Sequence, residues 1–166
     1  MTDKLKRLYL AYGSNLSREQ MAYRCPGAEI VGYATIHDYE LLFKGSGSGN
    51  YATIEPKEGA HVPVLVWAIS DQNEASLDRY EGYPSFYYKK ELKVDVRSFT
   101  SHESMGEHKA MVYIMDERRK EGLPSRYYYD VISDGYDDFG FERKPLIRAI
   151  ERAISVYESR NPKLSK

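Results

Sequence analysis

The amino-acid sequence predicts a single α+β domain over residues 1–166, with a mixed, strongly curved or barrel-like β-sheet and peripheral helices. Two observations lead there. Five or six segments carry strand patterning, and the helical segments fall between them irregularly, unlike the regular alternation of a doubly wound fold. The chain has 166 residues, 42% hydrophobic and 30% charged, which suits one core. It shows no internal repeat and no heptad array.

Leu8-Tyr9-Leu10-Ala11-Tyr12 is a short apolar and aromatic run that stops at Gly13-Ser14-Asn15, the pattern of a buried strand entering a tight turn. A helix is expected next. Ser14, Asn15 or Ser17 can cap it, Glu19 and Gln20 lie in its first turns, and Pro26-Gly27 ends it after Cys25. Ile30–Ile36 and Tyr39–Phe43 read as two strand pieces, and Gly45–Asn50 as a flexible loop or lid without a core-forming residue. Tyr51–Ile54 and Val62–Ile69 resume the strand pattern around the turn residues Pro56-Lys57-Glu58-Gly59. A helix is expected over Ser70–Tyr80, capped by Ser70 or Asp71 and stopped by Gly82 and Pro84. Tyr87–Val96 alternates as a strand with Leu92, Val94 and Val96 on one face, and Lys109–Met115 is its expected partner across a polar connection at 100–108. Ser125–Ser133 and Pro145–Ser159 read as helices, the second with Ile147, Ile150, Ile154 and Tyr157 at core spacing.

Charge and composition exclude several classes. Twenty-four basic against twenty-five acidic residues leave a net charge of -1, so no global field draws the chain to nucleic acid or an acidic membrane. The opening segment is too short in apolar residues for a signal peptide, and nothing approaches a membrane span, so a cytoplasmic protein is expected, as monomer or homodimer. One cysteine, Cys25, rules out an internal disulfide and a cysteine metal cluster. The four histidines lack ligand spacing, and neither a metal nor a cofactor is expected. The sixteen tyrosines stand out, suiting a polar-lined pocket or ordinary half-buried packing.

Two places can carry chemistry. A turn of small residues ahead of a helix exposes backbone N–H groups that attract anions, and at Gly13-Ser14-Asn15 the side chains of Ser14 and Asn15 add donors, although an ordinary capped turn has the same composition. Glu81 falls at a helix C-terminus beside Gly82-Tyr83-Pro84. There the helix dipole and partial burial favour its protonated form and raise its pKa, as a group that both takes and gives a proton requires; a solvated surface glutamate is the plainer alternative. Cys25 has no histidine near it in sequence and reads as a small buried thiol. Gly45–Gly49 lacks the lysine and hydroxyl residue of a phosphate loop.

These pieces, in order, resemble the gamma-glutamylcyclotransferase family. Tyr9-Leu10-Ala11-Tyr12-Gly13-Ser14-Asn15-Leu16 is similar to the family's opening strand and binding turn, and Met21 with Arg24-Cys25-Pro26 to the helix after it. Ala52-Thr53-Ile54 and Val66-Trp67 resemble its central strands. Leu77-Asp78 followed by Glu81-Gly82 resembles the segment that carries the catalytic glutamate, and Pro124-Ser125, Tyr128 and Gly135 the late helix whose tyrosine reaches the substrate. Phe86 departs from the pattern, standing where many members carry glycine, while Tyr88 matches a common tyrosine. The resemblance implies an enzyme that cyclises a gamma-glutamyl amide to 5-oxoproline and releases an amine or amino acid. It implies Glu81 as general acid/base, with Tyr9, Tyr12, Gly13, Ser14, Asn15, Tyr88 and Tyr128 around the substrate. Two alternatives remain: a non-catalytic small-metabolite binding module, and an amide hydrolase using Cys25 or Ser14 as nucleophile.

Overall fold

The computed structural model describes residues 4–164. Strand β1 (Leu5–Ala11) leads through a 3-10 turn (Ser14–Leu16) into α1 (Arg18–Arg24). Two long strands follow, β2 (Glu29–Ser46) and β3 (Gly49–Ser70), then α2 (Asp71–Glu81), β4 (Tyr87–Arg97), β5 (Ser104–Met115) and the two-residue β6 (Lys120–Glu121). Helices α3 (Arg126–Phe139) and α4 (Lys144–Arg160) close the chain, before a short 3-10 turn at Pro162–Leu164.

The sheet runs β3-β1-β5-β4-β2-β6, and β3 also pairs with β2. That extra pairing joins the sheet back on itself, so five strands form the barrel-like ring expected from the sequence, with β6 as an outlying edge. The ring is antiparallel except where Tyr9 of β1 meets Met111 of β5. Two seams of the ring rest on a single pairing each, β1 with β5 at Tyr9 and Met111, and β2 with β4 at Tyr33 and Arg97. Leu10, Ile54, Val64, Val66, Met111 and Ile114 are among the buried residues of the core.

Several boundaries differ from the sequence-based expectations. The two strand pieces before residue 46 are one strand, bent where Asp38 takes a positive φ of 61° and the register with β3 shifts. Gly45–Asn50 is a tight hairpin, since Gly45 pairs with Asn50 and Ser46 with Gly49, leaving Gly47 and Ser48 as the turn. Its composition suits a two-residue turn as well as an open loop, because backbone pairing needs no side chain there. β5 begins at Ser104, within the expected polar connection, and α3 runs on to Phe139.

On α4 the buried face is Pro145, Leu146, Ala149 and Ala153, while Ile147, Ile154 and Tyr157 are exposed. The small alanines let the helix pack closely against β2, so volume rather than hydropathy selects the inward face. Gly135 does the same for α3. A Cβ there would lie 2.6 Å from the Leu16 Cβ, so only glycine lets the helix seat on the turn after β1.

Candidate active site

At one end of the barrel the C-terminus of β1, the turn after it, the C-terminus of α2 and the first turn of α3 surround a cavity of about 360 Å³. Tyr9, Tyr12, Gly13, Ser14, Asn15, Glu81 and Tyr128 all line it, so seven of the eight expected residues converge.

The turn owes its shape to a polar network beneath it. Its own bonds run from the Leu16 N–H to the Gly13 carbonyl and from the Ser17 N–H to the Ser14 carbonyl, both 3.1 Å, and use neither the Ser14 nor the Asn15 N–H. The Asn15 carbonyl accepts from the Trp67 indole at 3.1 Å, and Asn15 Nδ2 donates to the Tyr9 hydroxyl at 2.9 Å. Arg24 donates to Asn15 Oδ1 and, at 3.2 Å, to Ser14 Oγ, while its guanidinium lies 3.5 Å over the Tyr80 ring. The Asn15 side chain is therefore a strut, and the donors that remain for a ligand are backbone N–H groups. Arg24 was seen in sequence only as part of the following helix. Its role depends on α1 folding back, which spacing alone does not reveal.

Glu81 is the last residue of α2. Gly82 follows in the left-handed conformation (φ 66°), where its N–H caps the Arg79 and Asp78 carbonyls. Leu77 buries the helix in the core. Asp78 ties it down by accepting from the Tyr113 hydroxyl at 2.6 Å and pairing with Lys89 at 2.9 Å. The spacing from Leu77 to Glu81 thus has a physical reason: two residues anchor the helix end and the fourth position onward carries the carboxyl into the cavity. Among the described residues none donates a hydrogen bond to that carboxyl. Burial pushes its pKa up to about 7, against the opposing pull of the Arg24 charge.

Tyrosines make most of the wall. The Tyr12 hydroxyl donates to the Tyr113 carbonyl at 2.6 Å and the Tyr87 hydroxyl to the Ala52 carbonyl at 2.7 Å. The Tyr128 hydroxyl accepts from the Ala52 N–H at 3.0 Å and lies 3.3 Å from where a Cβ on Gly13 would be, so its own proton is free to turn toward a ligand. Tyr88 is the exception. It points to the other face of β4, where its hydroxyl donates to Glu117 at 2.7 Å, and it does not line the cavity. Successive strand residues alternate faces, so the inward tyrosine of the pair is Tyr87. Tyr51, Tyr80, Phe86 and Tyr113 also line the cavity. For the three tyrosines the excess of tyrosine was the only signal in the sequence, whereas Phe86 stood out there as a departure from the family pattern.

The nucleophile reading finds no support. Cys25 is buried, burial raises its thiol pKa to about 11, and its sulfur lies 3.7 Å from the Asn73 carbonyl. The Ser14 hydroxyl meets Arg24 and Tyr80, and no histidine base accompanies it. Among the described residues no group of three or more histidine, cysteine, aspartate or glutamate side chains is placed to hold a metal ion. Among the described residues no helix is long and apolar enough to cross a membrane.

A barrel-like sheet whose mouth holds a tyrosine-lined cavity with one carboxyl poised near neutrality is the arrangement of an acid–base enzyme acting on a small molecule. Comparison with known proteins narrows the class. Residues 9–131 match the family described as Gamma-glutamyl cyclotransferase, AIG2-like. The mouse gamma-glutamylcyclotransferase is 34% identical over 154 residues, covering 87% of this chain and 78% of the mouse protein. The human gamma-glutamylcyclotransferase is 31% identical over 158 residues, covering 90% and 81%. A solved gamma-glutamyl cyclotransferase structure superposes with a TM-score of 0.70 at 31% identity, covering 81% of this chain and 80% of that one. The chain belongs to the gamma-glutamyl cyclotransferase, AIG2-like family and is an enzyme of that family.

Proposed function

We propose that the enzyme cyclises a gamma-glutamyl amide to 5-oxoproline and releases the amine, with Glu81 as the acid/base. The substrate's α-amine attacks its own γ-carbonyl, a five-membered lactam closes, and the bond from the γ-carbon to the departing nitrogen breaks. The amine's proton ends on that nitrogen. No water is consumed and no protein nucleophile takes part.

The observation that carries this reading is a carboxyl with a pKa of about 7, free of protein donors, in the same cavity as the Gly13-Ser14-Asn15 turn. Near neutrality such a group is present in both forms, so it can take the proton of the attacking ammonium and return it to the leaving nitrogen. The N–H groups of Ser14 and Asn15, with the Tyr128 hydroxyl proton, supply donors for the glutamyl headgroup and for charge developing on the carbonyl oxygen. The tyrosine wall holds the glutamyl chain folded, so that amine and carbonyl meet within one molecule.

The test is chromatographic detection of 5-oxoproline after incubation with a panel of gamma-glutamyl amino acids and gamma-glutamyl amines, for the natural chain and Glu81→Gln. The variant is expected to bind substrate and to lose at least about a hundredfold in kcat. Normal turnover by a folded Glu81→Gln protein refutes the role of Glu81. Absence of product from every compound with the natural chain refutes the cyclase reading.

A further inference from the structure

The segment ending α1 is fastened to α2 at both ends of α2. At the start of α2 the buried Asn73 donates to the Pro26 carbonyl at 3.1 Å, and the Cys25 sulfur lies 3.7 Å from the Asn73 carbonyl. At the far end the link is one side chain, Arg24. It donates to Ser14 Oγ at 3.2 Å and to Asn15 Oδ1, and its guanidinium carbon lies 3.5 Å from the centroid of the Tyr80 ring. Tyr80 precedes Glu81 and lines the cavity, and its hydroxyl lies 3.4 Å from Ser14 Oγ. One guanidinium therefore touches both the binding turn and the helix end that carries the carboxyl.

Each of these parts is also anchored to the barrel by itself. The turn hangs on Trp67 and Tyr9, and α2 on the bond from Tyr113 to Asp78. Removing Arg24 therefore loosens the relation between turn and helix end without detaching either from the sheet. The chemistry of the contacts calls for arginine in particular. A flat fork can lie over a ring and donate to two oxygens at once, which a lysine ammonium cannot do. Both acceptors are uncharged, so the guanidinium keeps its charge beside the cavity, where it favours the carboxylate form of Glu81 that receives the ammonium proton.

Resting on the cyclase reading above, we propose that Arg24 is a positioning residue that holds the Gly13–Asn15 turn and the end of α2 in one fixed relation. The donors of the turn and the acid/base then meet the substrate together, and the near-attack arrangement is set before the substrate enters. Arg24 does not line the cavity and takes no part in proton transfer; it acts through Ser14, Asn15 and Tyr80.

The experiment measures kcat and KM of Arg24→Ala on the gamma-glutamyl compound that the natural chain turns over fastest. Each assay is repeated with guanidinium chloride at roughly tens of millimolar, well below the molar range that unfolds proteins. Arg24 is half-buried, so the space left by alanine opens to solvent and admits a free guanidinium. The variant is expected to lose about 10- to 100-fold in kcat/KM, the range for a lost charged hydrogen bond or a small misplacement of reacting groups, with kcat carrying most of it. Guanidinium recovers part of the rate, whereas urea, of similar flat shape but uncharged, recovers none. Arg18→Ala removes the other ring-stacked guanidinium of α1, 4.6 Å over Phe139, and is expected to leave kcat/KM unchanged. Natural activity in Arg24→Ala, a loss that guanidinium does not relieve or urea relieves equally, or the same loss in Arg18→Ala overturns the proposal. Arg24→Lys keeps the charge without the flat fork and is expected to retain most of the loss; full activity there overturns the proposal even where the alanine variant does not fold. All these results require product from the natural chain, whereas its absence overturns the cyclase reading and this proposal with it.

Discussion

Replacing Glu81 by glutamine tests the desolvated carboxyl through folding alone, without substrate. The folded protein raises the Glu81 pKa from 4.5 to about 7. Below pH 4.5 the carboxyl is neutral in both folded and unfolded chains and contributes no difference. Between 4.5 and about 7 the unfolded chain releases the proton while the folded one keeps it, so stability falls as pH rises; above 7 the loss is complete and constant. A rise of this size corresponds to about 3 kcal/mol, lowered where cavity water solvates the carboxylate. For a chain of this length that is roughly 6–12 °C in melting temperature. Glutamine keeps the shape and carries no charge at any pH, so Glu81→Gln is expected to gain on the natural chain by up to this amount between pH 4.5 and 8. Thermal unfolding of both proteins across that range isolates the effect, since every other titrating group is shared. Parallel pH profiles refute the argument that burial in the cavity sets this pKa.

Three further predictions follow from particular contacts. The Arg24 charge opposes the rise in the Glu81 pKa, so Arg24→Gln moves the midpoint of the kcat/KM pH profile to higher pH; a midpoint unmoved or lower contradicts this. Gly135→Ala places a methyl group 2.6 Å from the Leu16 Cβ, and urea unfolding should show a loss of about 1–3 kcal/mol, with KM raised because Leu16 ends the binding turn. The Tyr136 hydroxyl is buried without a hydrogen-bond partner in the described structure, so Tyr136→Phe should be neutral or up to about 1 kcal/mol stabilising in the same assay. A clear loss there shows that the hydroxyl has an acceptor.

What could be read from the sequence was local. The apolar run ending at Gly13, the Ser70 cap, the stop at Gly82 and the pairing of β4 with β5 depend on neighbours in the chain, and each is present. The convergence of Glu81 with the Gly13–Asn15 turn came from ordered motifs rather than from spacing. Features that depend on barrel closure escaped. Tyr51 reaches the cavity because β3 pairs with β2 along nearly their whole lengths, a register set by contacts far apart in sequence. The choice between Tyr87 and Tyr88 is a matter of strand parity, which a one-residue shift reverses. The inward face of α4 was read only in part: Ile150 packs against the core, but Ile147, Ile154 and Tyr157 are exposed, because Ala149 and Ala153 carry little hydropathy yet allow the close approach that larger side chains would prevent.

The bond from Trp67 to the Asn15 carbonyl also equips the enzyme with an optical probe. Trp67 is the only tryptophan in the chain, and its indole N–H rests on the peptide that joins the binding turn to Leu16. Indole emission depends on the polarity and hydrogen bonding around the ring, so selective excitation of Trp67 reports on that turn without a label. The sixteen tyrosines, several of them around the cavity, lie where they can pass excitation to the same ring. Ligand titrations can therefore be followed in Glu81→Gln, where no product accumulates to confuse the signal.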